Sequence, residues 1–303
     1  MTTGAPIRIG SRASALARVQ AEWVARRVAG CPALVWIKSR GDADHTTPLP
    51  EFGGVGVFTV ELHRALFDDR IDLAVHSLKD LPAAEEAGIQ LACVPEREDT
   101  RDALVARDGL TFESLPAGAR VGTGSPRRVA QLKRARPDLE FVGIRGNVPT
   151  RIEKMRAGEF DAVVLALAGL TRLGRAQDAT DILSLELCVP AAGQGALGLT
   201  MRENDSHASD AVAALRDVKA AACTSAERTA LHALGAGCHT PVGAHAVVED
   251  GVVRLHVRLC SIDGTQCLEA RAEGRIAEAA EVGRRAADDL LGQGAQAVLD
   301  ADA

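Results

Sequence analysis

Of the seven cysteines in this chain, Cys238 is set apart by its surroundings. It lies in Leu234-Gly235-Ala236-Gly237-Cys238-His239-Thr240-Pro241-Val242-Gly243, where three glycines and a proline exclude a helix interior and disfavour a strand. The segment reads as a turn that presents one thiol, either an unreactive surface group or a point of chemistry. The other six cysteines sit among apolar neighbours or in ordinary helix and strand patterns and read as small hydrophobes. A second set, Arg12, Arg127, Arg128, Arg145, Arg151 and Arg172, falls at turns and helix starts with no partner evident in the sequence. Guanidinium pairs with carboxylate through two hydrogen bonds, and one charge-assisted bond contributes roughly 1.5–3 kcal/mol. Several such sites suit a ligand with several carboxylates better than a single phosphate. Asp80, beside Lys79, is the acid placed to work among these cations. It either caps its own turn or, held ionised, stabilises a cationic intermediate or manages a proton. His239 adjoins Cys238, but neighbours on an extended turn point apart, which disfavours a Cys–His pair. His76 ends an apolar run and reads as structural.

These residues must be carried by strands that run into tight turns and then helices. Ile7 to Gly10 predicts a short strand, Ser11-Arg12-Ala13-Ser14 a turn, and Leu16, Val19, Trp23 and Val24 a helix face. Such a turn gathers free backbone N–H groups and favours an anion. The grammar recurs at Val121-Gly122-Thr123-Gly124-Ser125-Pro126-Arg127-Arg128, with Pro126 suited to a first helical turn. A helix end followed by a strand at Ala65 to Val75 is mirrored at Lys154 to Val164. Two α/β domains of like build are the simplest account. Glu96 to Arg101 and Leu187 to Leu199 read as crossings between them. Between Glu51 and Phe58, Gly53, Gly54 and Gly56 suggest either a lid, with Phe58 at its end, or a tight helix entry. From Thr224 the pattern changes to a helix over Ser225 to Leu234 and strands over Val242–Val248, Val252–Leu259 and Gln266–Ala272. Asp250-Gly251 and Asp263-Gly264 are hairpin turns, and Ala277 to Leu291 closes as a helix. The expected division is residues 1–97 plus 195–217, then 98–194, then 218–303.

The totals exclude several classes. A net charge of −6 argues against a general nucleic-acid binder. An odd number of cysteines without a Cys-x-x-Cys pair suggests neither a zinc site nor a disulfide framework, and no metal is expected. No apolar run reaches signal-peptide or membrane-spanning length, so a cytoplasmic protein without membrane contact is expected.

Five motifs, in this order along the chain, resemble the porphobilinogen deaminase (hydroxymethylbilane synthase) family: Ala74-Val75-His76-Ser77-Leu78-Lys79-Asp80-Leu81-Pro82, Gly122 to Arg128, Arg145-Gly146-Asn147-Val148, Ala191-Ala192-Gly193-Gln194-Gly195-Ala196, and Gly237 to Gly243. The resemblance implies two α/β domains similar to periplasmic binding proteins, joined by a double crossover. A smaller C-terminal α+β domain with an antiparallel three-stranded sheet follows. It implies a transferase that condenses four porphobilinogen molecules head to tail, releasing ammonia at each step, for tetrapyrrole and heme synthesis. It further implies a dipyrromethane cofactor, made of two substrate units and joined by a thioether to Cys238. Every pyrrole unit carries an acetate and a propionate, which gives the arginines their purpose.

By position, Asp80 would be the catalytic carboxylate facing pyrrole nitrogens as an azafulvene cation forms. Lys79, Asp80, Thr123, Ser125, Arg127, Arg128 and Arg151 would hold the cofactor. Arg12, Ser14, Gln20, Arg145, Arg172 and Gln194 would line the substrate position or the path of the growing chain. A monomer is expected, with hand-over of product to the next enzyme. Glu51 and Val55 stand where some relatives carry lysine, which leaves electrostatic help from the glycine-rich loop in question. Two rivals use the same residues: a two-domain module that binds a polycarboxylate, and a thiol enzyme in which Cys238 attacks an acyl substrate.

Overall fold

The computed structural model describes residues 6–37, 59–84, 86–237 and 240–301. The chain forms two compact units: residues 1–97 with 196–221, and residues 98–195 with 222–303.

The first unit is built on a five-stranded sheet. Its strands are β1 (Arg8–Arg12), β2 (Ala33–Ile37), β3 (Leu73–Ser77) and β4 (Ile89–Cys93), completed by β10 (Leu197–Arg202) from the return crossing; the order is β2-β1-β3-β10-β4. β1 is parallel to β2 and β3, whereas β10 runs antiparallel to both its neighbours. Helix α1 (Ala15–Ala25) follows its expected apolar spacing, and α2 (Val60–Phe67) buries Leu62, Ala65 and Leu66. Ile9, Val24, Leu73 and Leu199 fill one side of the sheet, and Leu62, Leu66, Ile71 and Ala74 form a second cluster.

The second unit contains two sheets. One is made of β5 (Asp102–Ala106), β6 (Arg120–Gly122), β7 (Glu140–Val142), β8 (Ala162–Ala166) and β9 (Asp181–Ile182), in the order β7-β6-β8-β5-β9. Here too three parallel strands are followed by an antiparallel one, and that strand, β5, is the first after the outward crossing. The two five-stranded sheets therefore share one plan, as the repeated grammar of the sequence predicts. Helices α3 (Pro126–Ala135), α4 (Val148–Arg156) and α5 (Leu167–Arg172) flank it.

The other sheet is the expected meander, β11 (Val242–Glu249), β12 (Val252–Cys260) and β13 (Cys267–Arg275), antiparallel throughout. Asp250 and Gly251 both take positive φ, +50° and +78°, which is the backbone of a two-residue hairpin turn. After α6 (Ser206–Val212), α7 runs from Val218 to Ala233, seven residues earlier than the sequence predicts. α8 (Ala279–Gly292) and the unexpected α9 (Ala295–Ala301) cover the meander, with Val253, Val257, Val282 and Leu290 fully buried between them. Among the described residues, no helix is long and apolar enough to cross a membrane, and no group of metal-binding side chains assembles.

Candidate active site

In parallel sheets, loops at the carboxyl ends of neighbouring strands converge. β1 and β3 are such neighbours, with Ile9 opposite Leu73 and Gly10 opposite Ala74. β1 ends in Arg12 and leads to Ser14, whose hydroxyl caps α1 by accepting from Ala17 N at 3.4 Å. β3 ends in Ser77 and turns through a single 3-10 turn, Leu78–Asp80. Together they line an open recess of about 430 Å³, solvent included, whose polar wall comprises Arg12, Ser14, Gln20, Ser77 and Asp80. Leu78 anchors the turn: it is fully buried beside Val94, Ala196 and Ala220, and its N–H donates to Ala196 O at 3.0 Å. Asp80 is exposed on that fixed base and makes no hydrogen bond or ion pair with a described residue. Gln20 is almost fully buried and donates from Nε2 to Ser77 Oγ at 2.9 Å, so it sets the hydroxyl of Ser77 in place.

His76 lies under the recess, 5 % exposed, with Nε2 3.0 Å from Thr200 Oγ1. Burial, helped by His63 and Arg12, lowers its pKa to about 3, so the ring is neutral at pH 7 and fills the structural role expected of it.

The second unit repeats the arrangement with a different donor set. β6 and β7 are parallel neighbours that lead through Thr123-Gly124-Ser125 into α3 and through Gly143 to Gly146 into α4. The turns touch: Thr123 N donates to Val142 O at 3.0 Å, and a Cβ on Gly124 would lie 3.2 Å from Ile144 O. Ser125 occupies the N-cap of α3 without a side-chain cap bond, and its backbone N–H donates to Thr123 Oγ1 at 3.3 Å. Asn147 caps α4, accepting from Thr150 N at 2.9 Å, and Arg151 on that helix donates to Gly146 O at 2.8 Å. Arg145 is half-buried, and its buried Nη1 has no acceptor. Two helix N-termini, the Ser125 hydroxyl and an orphaned guanidinium nitrogen make this end of the sheet a carboxylate site in its chemistry. A dipyrromethane, with its acetates and propionates, fits that donor set.

Three of the expected site residues share a protein partner that the sequence does not reveal. Arg127 and Arg128 are not arginines without a protein partner: they are 4 % and 5 % exposed, on the first turn of α3, and both pair with Asp102. Arg127 also donates to Val189 O at 2.7 Å, and Arg128 to Val164 O at 2.9 Å. Of Arg127, the buried Nε alone lacks an acceptor. Gln194 is fully buried, and its Nε2 donates to Thr100 O and to Asp102 Oδ1, at 2.7 and 2.8 Å.

Asp102, fully buried, is thus a hub that the sequence reading missed. Burial alone would raise its pKa, but the two guanidiniums and Gln194 outweigh burial and hold it well below the carboxylate range. The signal available was a pair of adjacent arginines in need of a counter-charge, with one acid opening the apolar strand Asp102-Ala103-Leu104-Val105-Ala106. Glu227 was missed in the same way. It is fully buried in α7, and its two oxygens accept from Gly193 N and Ala246 N, both at 2.7 Å.

Arg172 is half-buried and donates to Gly195 O at 2.7 Å; burial lowers its pKa, although Glu98 opposes that shift. Lys79 is half-buried beside Asp80. Cys238 and His239, and the expected lid residues Gly53, Gly54, Gly56 and Phe58 with Glu51 and Val55, lie outside the described residues.

Comparison with known proteins is consistent along the whole chain. The family model described as "Porphobilinogen deaminase, dipyromethane cofactor binding domain" matches residues 7–210, and "Porphobilinogen deaminase, C-terminal domain" matches residues 221–292. A porphobilinogen deaminase from Thermobifida fusca (strain YX) is 47% identical, covering 98% of this chain and 97% of its own. Those from Leifsonia xyli subsp. xyli (strain CTCB07) and Syntrophotalea carbinolica (strain DSM 2380 / NBRC 103641 / GraBd1) are 46% and 44% identical, over 95% and 97% of this chain and 93% and 95% of theirs. Among solved structures, a putative methionine-binding lipoprotein from Bacillus subtilis subsp. subtilis str. 168 is 14% identical with a TM-score of 0.43, covering 69% of this chain and 89% of that one. On the matches to its sequence, which run nearly end to end, the chain belongs to the porphobilinogen deaminase family.

Proposed function

We propose that the chain condenses four porphobilinogen molecules head to tail, releasing ammonia at each addition, and that Asp80 is the carboxylate on which the chemistry turns. The chain is a transferase of tetrapyrrole synthesis and carries a dipyrromethane cofactor. That group, attached through Cys238, supplies the terminal pyrrole carbon to which the first substrate unit is joined. Lys79, Thr123, Ser125, Arg127, Arg128 and Arg151 are assigned to its carboxylates, with Arg127 contributing its Nε while its other nitrogens stay on Asp102 and backbone oxygens. Arg12, Ser14, Arg145 and Arg172 are assigned to the acetate and propionate of incoming units, and Gln20 acts by fixing Ser77.

The observation that carries the reading is Asp80, an exposed carboxylate on a rigid turn with no described partner, at a recess also lined by Arg12 and Ser14. As the aminomethyl C–N bond of the substrate breaks, positive charge spreads over the ring. An ionised Asp80 at the pyrrole N–H opposes that charge and can take the ring proton. Water weakens the effect while the recess is open. A bound substrate that displaces the water strengthens it. The cytoplasm, a monomeric state and hand-over of the linear product to the next enzyme belong to the same proposal; the described cysteines, all present as thiols, suit a reducing compartment.

Asp80→Asn keeps size and shape and loses the charge. Because Asp80 is exposed and unbonded, the variant should match the wild type in unfolding midpoint while kcat falls about 10²-fold or more. A kcat within about twofold of wild type would overturn the assignment.

A further inference from the structure

Cys260 and Cys267 face each other across β12 and β13. Their sulfurs are 3.3 Å apart, with the Cys260 thiol donating to Cys267 Sγ. The next residues outward, Ser261 and Gln266, share a backbone bond, Ser261 N to Gln266 O at 3.0 Å. Cys260 N turns the other way and donates to Pro241 O at 3.2 Å. The two cysteines are therefore a non-hydrogen-bonded pair, in which opposed Cα atoms lie about 4.5 Å apart. That falls inside the roughly 4.4–6.8 Å that a disulfide spans.

The turn beyond them is held firmly. Asp263 Oδ1 accepts from Thr265 N and Thr265 Oγ1 at 3.0 and 2.8 Å, and a Cβ on Gly264 would lie 2.7 Å from Ala130 O of α3. The thiols are kept together by the sheet itself.

Their environments differ in a useful way. Cys260 is fully buried, whereas Cys267 is partly open to solvent. The hydrogen bond from Cys260, with the charges of Arg258 and Arg134, lowers the Cys267 thiol to about 7. By contrast, burial pushes Cys93 and Cys188 up to about 11 and about 12.

We propose that Cys260 and Cys267 form a reversible two-electron oxidation site, with Cys267 as the attacking sulfur and a low-molecular-weight disulfide as oxidant. The Cys267 thiolate attacks one sulfur of the small disulfide, breaks its S–S bond and expels a thiolate. The Cys260 sulfur, giving its proton to that thiolate, then attacks Cys267 in the mixed disulfide and releases the second small thiol. Two cysteine thiols are oxidised and one small disulfide is reduced to two thiols. Neither cysteine lines the recess that holds Arg12, Ser14 and Asp80.

The test equilibrates the purified holoenzyme with mixtures of oxidised and reduced glutathione, quenches with acid, alkylates and digests with trypsin. Both cysteines fall in one peptide, Leu259 to Arg271. The expected product is that peptide unalkylated and lighter by two hydrogens, restored by dithiothreitol. Cys260→Ser should stop at a glutathione mixed disulfide on Cys267, and Cys267→Ser should leave Cys260 reduced, with condensation activity unchanged in both under reducing conditions. Full alkylation of Cys260 and Cys267 at an oxidant level that modifies the exposed Cys31 would overturn the proposal. So would a Cys267→Ser variant in which Cys260 is oxidised as fast as in wild type.

Discussion

His76 is a titratable group placed where it cannot titrate near neutrality. Its folded pKa, about 3, lies below the value of about 6.5 for an unfolded histidine. Between those limits the unfolded chain binds a proton that the folded chain does not. Stability therefore falls as pH drops from about 6.5 towards 3, by as much as about 1.4 kcal/mol per pH unit from this group. Asp72, held at about 2 by Arg8 and Arg202 against the effect of its own burial, adds acid sensitivity only below about pH 4. His76→Gln, which cannot titrate, should show a shallower loss of unfolding free energy than wild type between pH 6.5 and 4.5. Identical slopes in urea titrations at several pH values would contradict the assignment. The bland role of His76 was legible from its place at the end of an apolar strand. The roles of Arg127, Arg128 and Gln194 were not, because their shared partner, Asp102, is 25 residues or more away in sequence and only the sheet brings them together.

At the scale of elements, the turns that follow parallel strands were readable because glycine, serine and proline fix them locally. The start of α7 was legible in Asp217, which caps it by accepting from Ala220 N at 2.8 Å, but the exposed Val218 masks the apolar spacing there. The pairing of Cys260 with Cys267 was within reach: the two lie at equal distances from Asp263-Gly264, so a symmetric hairpin sets them opposite. Gly195 marks a tighter constraint. Here the return crossing passes the outward one, with Glu98 N donating to Gly195 O at 3.1 Å. Gly195 has φ +83°, and a Cβ would lie 2.4 Å from Glu98 O. Gly195→Ala combines a left-handed backbone with a collision against main chain and should cost about 3 kcal/mol or more in unfolding free energy. Gly292→Ala, where a Cβ meets nothing within 4 Å, should stay within about 0.5 kcal/mol in the same denaturant series. Equal midpoints for the two variants would show that the crossing tolerates a side chain.

For the molecule as a whole, both crossings have a structural purpose. Each five-stranded sheet takes its antiparallel fourth strand, β10 or β5, from the chain just after it crosses, so neither sheet is complete until the chain has passed between the units. That plan was legible as a repeated strand–turn–helix grammar, whereas the activity was legible only through the five motifs. Arginines and a thiol alone leave a polycarboxylate-binding module and a thiol enzyme standing, and the family matches over residues 7–210 and 221–292 remove both. In the proposed function, a primer on Cys238 ties the fold to that activity. The intact mass of the protein, purified from cells that make porphobilinogen, tests it directly. The account predicts a mass above the 31.7 kDa polypeptide by two linked porphobilinogen-derived units, with the increment lost in Cys238→Ser. A fully active protein with the mass of the bare chain would contradict it.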